Sequence, residues 1–252
     1  VGPRSAGRLR LCSDEGGGDR RGGGGPVEER GGFSPMNRRL KYAAARWVSR
    51  VMARTGLRVS AYTDLSLETA LQRLNAHPIA FNTVIDVGAS DGSWTERLLR
   101  FYPTQSYLLI EANPVHEPVF QAFTAQHPNI AYALAAAGAE EGMLYFDARE
   151  PLGGEASTEQ HEGWLNLPAT TIDAEITRRA LPGPYLIKFD THGYEIPILD
   201  GAAETLAQTS LIVMEMYNFR ISSTSVTVWE MCSELERRGF RPIDLIAPMF
   251  RP

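Results

Sequence analysis

Three groups of residues in this 252-residue chain have the types and spacing to do chemistry. The first is Asp86, Gly88 and Gly92, in the run TVIDVGASDGSW: an acid after a short β-branched stretch, then a turn of small residues that includes Ala89. Glycines let a backbone turn tightly and approach a ligand where a Cβ would collide. The second is Glu111, 25 residues after Asp86, closing the apolar run YLLI and followed by Ala112 and Asn113. An acid at that place can accept hydrogen bonds from both hydroxyls of a ribose. Together these two groups describe an adenosine-type ligand. The third is Lys188, Asp190 and His192 in LIKFDTHGYEIPILDGA. A histidine there can accept a proton, while Lys188 and Asp190 are expected to pair. Each group also has a plainer reading: a tight turn without ligand, an exposed strand-end glutamate, a loop histidine without a task.

The elements that must position these groups alternate. From residue 83 onward strand and helix signals follow one another as a doubly wound α/β sheet requires. Strands are expected at 83–87, 106–110, 129–135, 185–189, 210–214 and 240–246, with a further extended piece at 143–147. Helices are expected at about 92–101, 115–126, 171–180 with Thr170 or Thr171 as N-cap, after Gly193 with Pro197 in the first turn, and at 224–238 before Gly239. The stretch 149–167 holds three glycines and one proline and reads as a long loop. Such a loop is placed to cover an acceptor, with His161 and Trp164 against a sugar face. Upstream, 65–75 reads as a helix that stops at His77-Pro78.

Composition narrows the choice. A formal charge of -5 offers no nucleic-acid footprint, and no run of 18 apolar residues suggests a membrane span. Two cysteines, Cys12 and Cys232, suit a reducing, cytoplasmic setting. The five histidines are scattered, so no structural zinc is expected, and metal is left open only as a magnesium ion between Asp190 and Glu215. Residues 1–35 carry 11 of the 23 glycines without hydrophobic periodicity and read as a disordered or non-native extension before Met36. Residues 36–80 are expected to form an N-terminal helical segment. Its first part is a basic amphipathic helix, expected at the domain edge, with weak membrane-surface contact through 36–55 as the alternative.

DVGASDG, IEANP and KFDTHGYEIPILDGA together resemble the FkbM-type methyltransferases, which use S-adenosylmethionine. TTIDAEI at 170–176 resembles a stretch just before the third motif in that family. The resemblance covers about Thr83 to Glu215 within a catalytic domain at 81–252. It implies a Rossmann-like class I methyltransferase sheet, mostly parallel, and O-methylation of a small-molecule, glycolipid or glycan hydroxyl. Carried onto this chain, Asp86, Gly88, Ala89 and Gly92 would line the cofactor, with Glu111, Ala112 and Asn113 at its ribose. Lys188, Asp190, His192 and Glu195 would serve the catalytic side, His192 as proton acceptor and Asp190 as its orienting partner. Such sheets close with an antiparallel seventh strand, and the chain stops at Pro252 just after strand six, so that strand is expected to be lacking. Two other readings fit part of the pattern: a nicotinamide-dependent reductase, which lacks its G-x-G-x-x-G turn here, and an inactive methyltransferase-like binding domain.

Overall fold

The computed structural model describes residues 65–76, 79–151, 153–222 and 224–248. The expectations for the 1–35 extension, the basic helix after Met36 and the His77-Pro78 stop lie outside the described residues. No helix among the described residues is long and apolar enough to cross a membrane.

Five strands form the main sheet: β1 (Thr83–Val87), β2 (Ser106–Glu111), β3 (Ile130–Leu134), β8 (Tyr185–Phe189) and β9 (Thr209–Met214). Their order is β3-β2-β1-β8-β9, and every pairing is parallel. The strand order therefore reverses at β1, where β2 lies on one side and β8 on the other. That is the point at which a parallel sheet opens a crevice at its carboxyl edge.

Burial explains why these runs are strands. All five residues of β1 and of β8 are buried, the near-continuous apolar pattern of a parallel sheet covered on both faces. Alternate residues serve the two faces. Val84, Tyr107, Leu109, Leu186 and Leu211 pack with Leu67 and Leu71 of α1 (Leu67–Ala76), Leu98 of α2 (Ser93–Leu99) and Phe120 of α3 (Glu117–Gln126). Ile85, Leu108, Ile110, Ile187 and Phe189 pack with Ile172 and Ile176 of α4 (Ile172–Arg179), Ile198 and Leu199 of α5 (Glu195–Asp200), and Met231 and Leu235 of α7 (Val228–Arg237). A short α6 (Ala203–Leu206) precedes β9. Helices thus cover both faces, as the sequence pattern requires.

Local chemistry sets several boundaries. Thr171 caps α4, its hydroxyl accepting from the Ala174 N–H at 3.0 Å. Before α7 the Glu230 carboxylate reaches back to the Thr227 N–H at 2.8 Å. Pro197 sits in the first turn of α5.

Two expectations need correction. The stretch 149–167 is not one loop: β6 (Ala156–Ser157) and the start of β7 (Leu165–Thr170) lie in it. With β4 (Ala136–Ala137) and β5 (Gly142–Phe146) they make a second sheet, ordered β4-β7-β5-β6. Pro168 is tolerated in β7 because β4 pairs only with Ala169 and Thr170, leaving β5 as the sole neighbour at the proline. The second correction is strand six: 240–246 has no regular structure. Pro242 cannot donate to a ladder. Ile243 and Leu245 are 67% and 63% exposed, whereas Asp244 is held by Arg73 of α1 at 2.6 Å.

Candidate active site

The carboxyl tips of β1, β2, β8 and β9 carry Asp86, Glu111, Asp190 and Glu215 to one edge of the sheet. Asp86 is fully buried. Its Oδ2 accepts from the Thr95 hydroxyl at 2.7 Å. Its Oδ1 takes no well-directed hydrogen bond and faces instead the Lys188 ammonium at 2.9 Å. Lys188 sits opposite Asp86 in the β1–β8 register. Its Nζ also donates to the Gly88 carbonyl at 2.8 Å and lies 3.4 Å from Asp190 Oδ2. Burial alone would lower the Lys188 pKa, but the charges of Asp86 and Asp190 outweigh it and hold the amine above its ordinary value. One ammonium therefore ties the first turn to the tip of β8.

The turn after β1 depends on its glycines in two different ways. Gly88 has φ +71°, and a Cβ there would stand 2.1 Å from the Asp190 carbonyl oxygen. Gly92 has φ +75°, but its Cβ would meet Phe123 only at 3.7 Å. Ser90 is also left-handed, at φ 49°. The turn presents its Ser90 N–H to Glu111, whose Oε2 accepts it at 2.7 Å, while Oε1 accepts the Asn113 N–H at 2.7 Å. Each carboxylate oxygen keeps a lone pair for a further donor. Ala89 is buried and Ala112 half-buried beside these groups. Asn113 is 3% exposed. Its Oδ1 accepts from the Val115 N–H at 3.2 Å, and its Nδ2 has no partner. A buried amide left with an unused donor is the exception in a folded protein and asks for a ligand.

At the other end, the turn after β8 is wound tightly: His192 has φ 50° and Gly193 φ 105°. A positive φ is uncommon outside glycine, although histidine adopts it more readily than most residues. Glu195 secures this turn, its Oε1 accepting from the Gly193 N–H at 2.9 Å and the Thr191 hydroxyl at 3.2 Å. His192 Nε2 stands 3.8 Å from Asp190 Oδ1 and 4.0 Å from Glu215 Oε2. Both separations exceed a hydrogen bond. Burial would raise the Asp190 pKa, yet Lys188, a hydrogen bond with Glu215 and the charge of His192 bring it below the usual range. Glu215 moves the other way, pushed up to about 8 by burial and by its hydrogen bond with and the charge of Asp190. Of the two neighbouring carboxyls, Glu215 is therefore the harder to ionise and Asp190 the easier. Tyr217 stays protonated, held well above the ordinary tyrosine value by burial and the Glu215 charge. Its ring lies 6.4 Å from that of His192 and 5.6 Å from Phe219.

Glu215 and His116 are the residues that sequence reasoning undervalued. Glu215 was legible only as a possible magnesium partner, although an acid closing the apolar run LIVM repeats the pattern of Asp86, Glu111 and Asp190. His116 is buried, with Nε2 2.7 Å from the Pro151 carbonyl oxygen and 3.5 Å from the Ser90 hydroxyl. It pins the long stretch after β5 to the first turn, and nothing in its sequence context signals this. His161 and Trp164 pack against each other with tilted rings, centroids 4.4 Å apart.

A family model described as Methyltransferase FkbM domain matches residues 86–242. No curated protein matches the chain. The matched span begins at Asp86 and takes in all four acidic strand tips.

Proposed function

Because the chain belongs to the FkbM methyltransferase family, we propose that it moves a methyl group from S-adenosylmethionine to a hydroxyl oxygen of a small-molecule, glycolipid or glycan acceptor. Residues 81–252 form the catalytic domain in this reading, and cysteine usage favours a cytoplasmic setting. The reading rests on one observation: the cradle at Asp86–Gly92 and Glu111 shares the carboxyl edge with Asp190, His192 and Glu215, and Lys188 joins the two.

The residues present suit the cofactor. Gly88, Ala89 and Gly92 would form the turn at its methionine end, Glu111 has lone pairs for the ribose hydroxyls, and the unpartnered Asn113 Nδ2 is a donor close to Glu111. When bound, S-adenosylmethionine supplies an electrophilic methyl group on a sulfonium. The chain's own task is to hold the acceptor oxygen in line behind that methyl and to relieve the hydroxyl of its proton. Asp190, His192 and Glu215 stand where the hydroxyl would lie, with His192 to take the proton and Asp190 to orient it. Lys188 and Glu195 act by position, the first fixing Asp86 and Asp190 and the second the 191–193 turn.

Family membership does not favour the nicotinamide reductase. The intact acidic tips argue for an active enzyme over an inactive binding domain. Calorimetric titration distinguishes all three: S-adenosylhomocysteine should bind, NADH should not, and Glu111→Gln should weaken the first. Labelled S-adenosylmethionine offered with sugars, glycolipids and polyketides then identifies the acceptor. Binding of NADH alone, or of neither ligand, would sink the proposal.

A further inference from the structure

Asp190, His192 and Glu215 come from two adjacent parallel strands, β8 and β9, whose tips lie in register beside each other. One donor atom from each of the three residues falls within a span of 4.8 Å. The separations of 3.8 and 4.0 Å from His192 Nε2 lie between the distances two ligands keep when adjacent and when opposite about an ion at about 2.1 Å. Charge points the same way. Lys188 stands between Asp86 and Asp190, one ammonium for two carboxylates. Among the described residues Lys188 is the only permanent cation in ion-pair contact with this group. Asp190 turns Oδ2 towards Lys188 and Oδ1 towards His192 Nε2, which makes Oδ1 the oxygen that would share an ion with that nitrogen. The side chains of all three are about one-third exposed, at 32%, 33% and 35%. An ion held there would keep open positions towards solvent, as catalytic metal sites do.

We propose that Asp190, His192 and Glu215 bind a divalent first-row metal ion, of the manganese-to-zinc class, which holds the acceptor hydroxyl. The donor set sorts the candidates: two carboxylates suit manganese and magnesium, and the imidazole favours a first-row ion over calcium or magnesium. The inference rests on the reading of this edge as the acceptor end. It changes one role within it, because His192 Nε2 becomes a ligand instead of the proton acceptor. The hydroxyl binds the ion, its O–H bond breaks and the proton leaves to solvent water through the exposed mouth. A metal ion lowers the pKa of a bound hydroxyl group by acting as a Lewis acid.

The test is a manganese titration of the full chain, stripped with chelator and followed by electron paramagnetic resonance. One Mn²⁺ per chain should disappear from the free-ion signal. Asp190→Asn, His192→Ala and Glu215→Gln should each weaken binding at least about 10-fold. Nitrogen-15 labelling of histidine in the wild-type chain gives a reading that no misfolded variant can spoil: the bound ion should show an imidazole nitrogen coupling. S-adenosylhomocysteine binding is measured separately, with EDTA present. No bound Mn²⁺ at a tenfold excess, equal binding by the variants, or no nitrogen coupling overturns the metal site. If S-adenosylhomocysteine still binds in that case, methyl transfer stands with His192 as proton acceptor. Mn²⁺ bound as expected with no S-adenosylhomocysteine binding supports the site and removes the methyltransferase reading.

Discussion

Gly88 and Gly92 look equivalent in sequence and are not. Both need a positive φ, a strain of about 1–2 kcal/mol for an alanine. Only at Gly88 does a methyl group also run into a backbone oxygen, 2.1 Å away. Gly88→Ala should therefore cost at least about 3 kcal/mol in urea unfolding and abolish S-adenosylhomocysteine binding, while Gly92→Ala should cost about 1–2 kcal/mol. Equal losses would show that the approach of the Asp190 carbonyl to the turn is not what demands glycine. His192 allows a similarly clean test. Asparagine tolerates the left-handed backbone that His192 occupies at φ 50° and lacks Nε2. His192→Asn should lower turnover about 100- to 10,000-fold while calorimetry finds cofactor affinity unchanged; loss of both would make the residue structural. The cradle residues were legible because glycine and acid at strand tips leave a local signature. The hydrogen bonds of Glu195 were not legible: its carboxylate holds the Gly193 N–H and the Thr191 hydroxyl. Hydrogen bonds of that kind follow from the path of the turn, which residue types alone do not state.

Strands β1 and β8 are joined by more than their ladder. Lys188→Met leaves Asp86 charged and fully buried without its cation, which typically costs about 3–5 kcal/mol. Asp86→Asn should destabilise as well, and the double variant should lose clearly less than the two single losses added. Urea unfolding of the four proteins measures that coupling; additive losses would mean that the pair does not act as a unit. This pairing was readable only halfway from sequence, which suggested Asp190 as the lysine's partner. The nearer partner, Asp86, is 102 residues away in the chain and is brought opposite only by the register of parallel strands. The same limit hid β7. Its pattern, Leu165, Leu167 and Ala169 with polar or proline residues between, alternates correctly. Glycines and a proline before it obscured the strand, and no local feature announces a partner such as β5.

The fold has a stiff centre and a softer flank. β1 and β8 are buried throughout, whereas β5 and β7 of the second sheet each expose at least two residues. Hydrogen exchange followed by mass spectrometry should find β1, β2 and β8 exchanging last and β5 to β7 well before them. Uniform protection would contradict a core centred on the five-stranded sheet. That core was the most legible part of the chain, since parallel strands covered on both faces must be apolar nearly throughout, and helices between them must carry an apolar stripe. The rim of the sheet was the least legible: Pro242 and the exposed Ile243 and Leu245 lie in a segment whose apolar content imitates a strand. The shared ammonium of Lys188 has a last implication. It bonds the Gly88 carbonyl and faces Asp190, so whatever draws Asp190 towards an acceptor or an ion also redistributes the contacts of the cofactor turn. Thermodynamic reciprocity then applies: if occupancy of one end tightens the other by some factor, the reverse holds by the same factor. Affinities measured at either end alone will accordingly misstate those of the ternary complex.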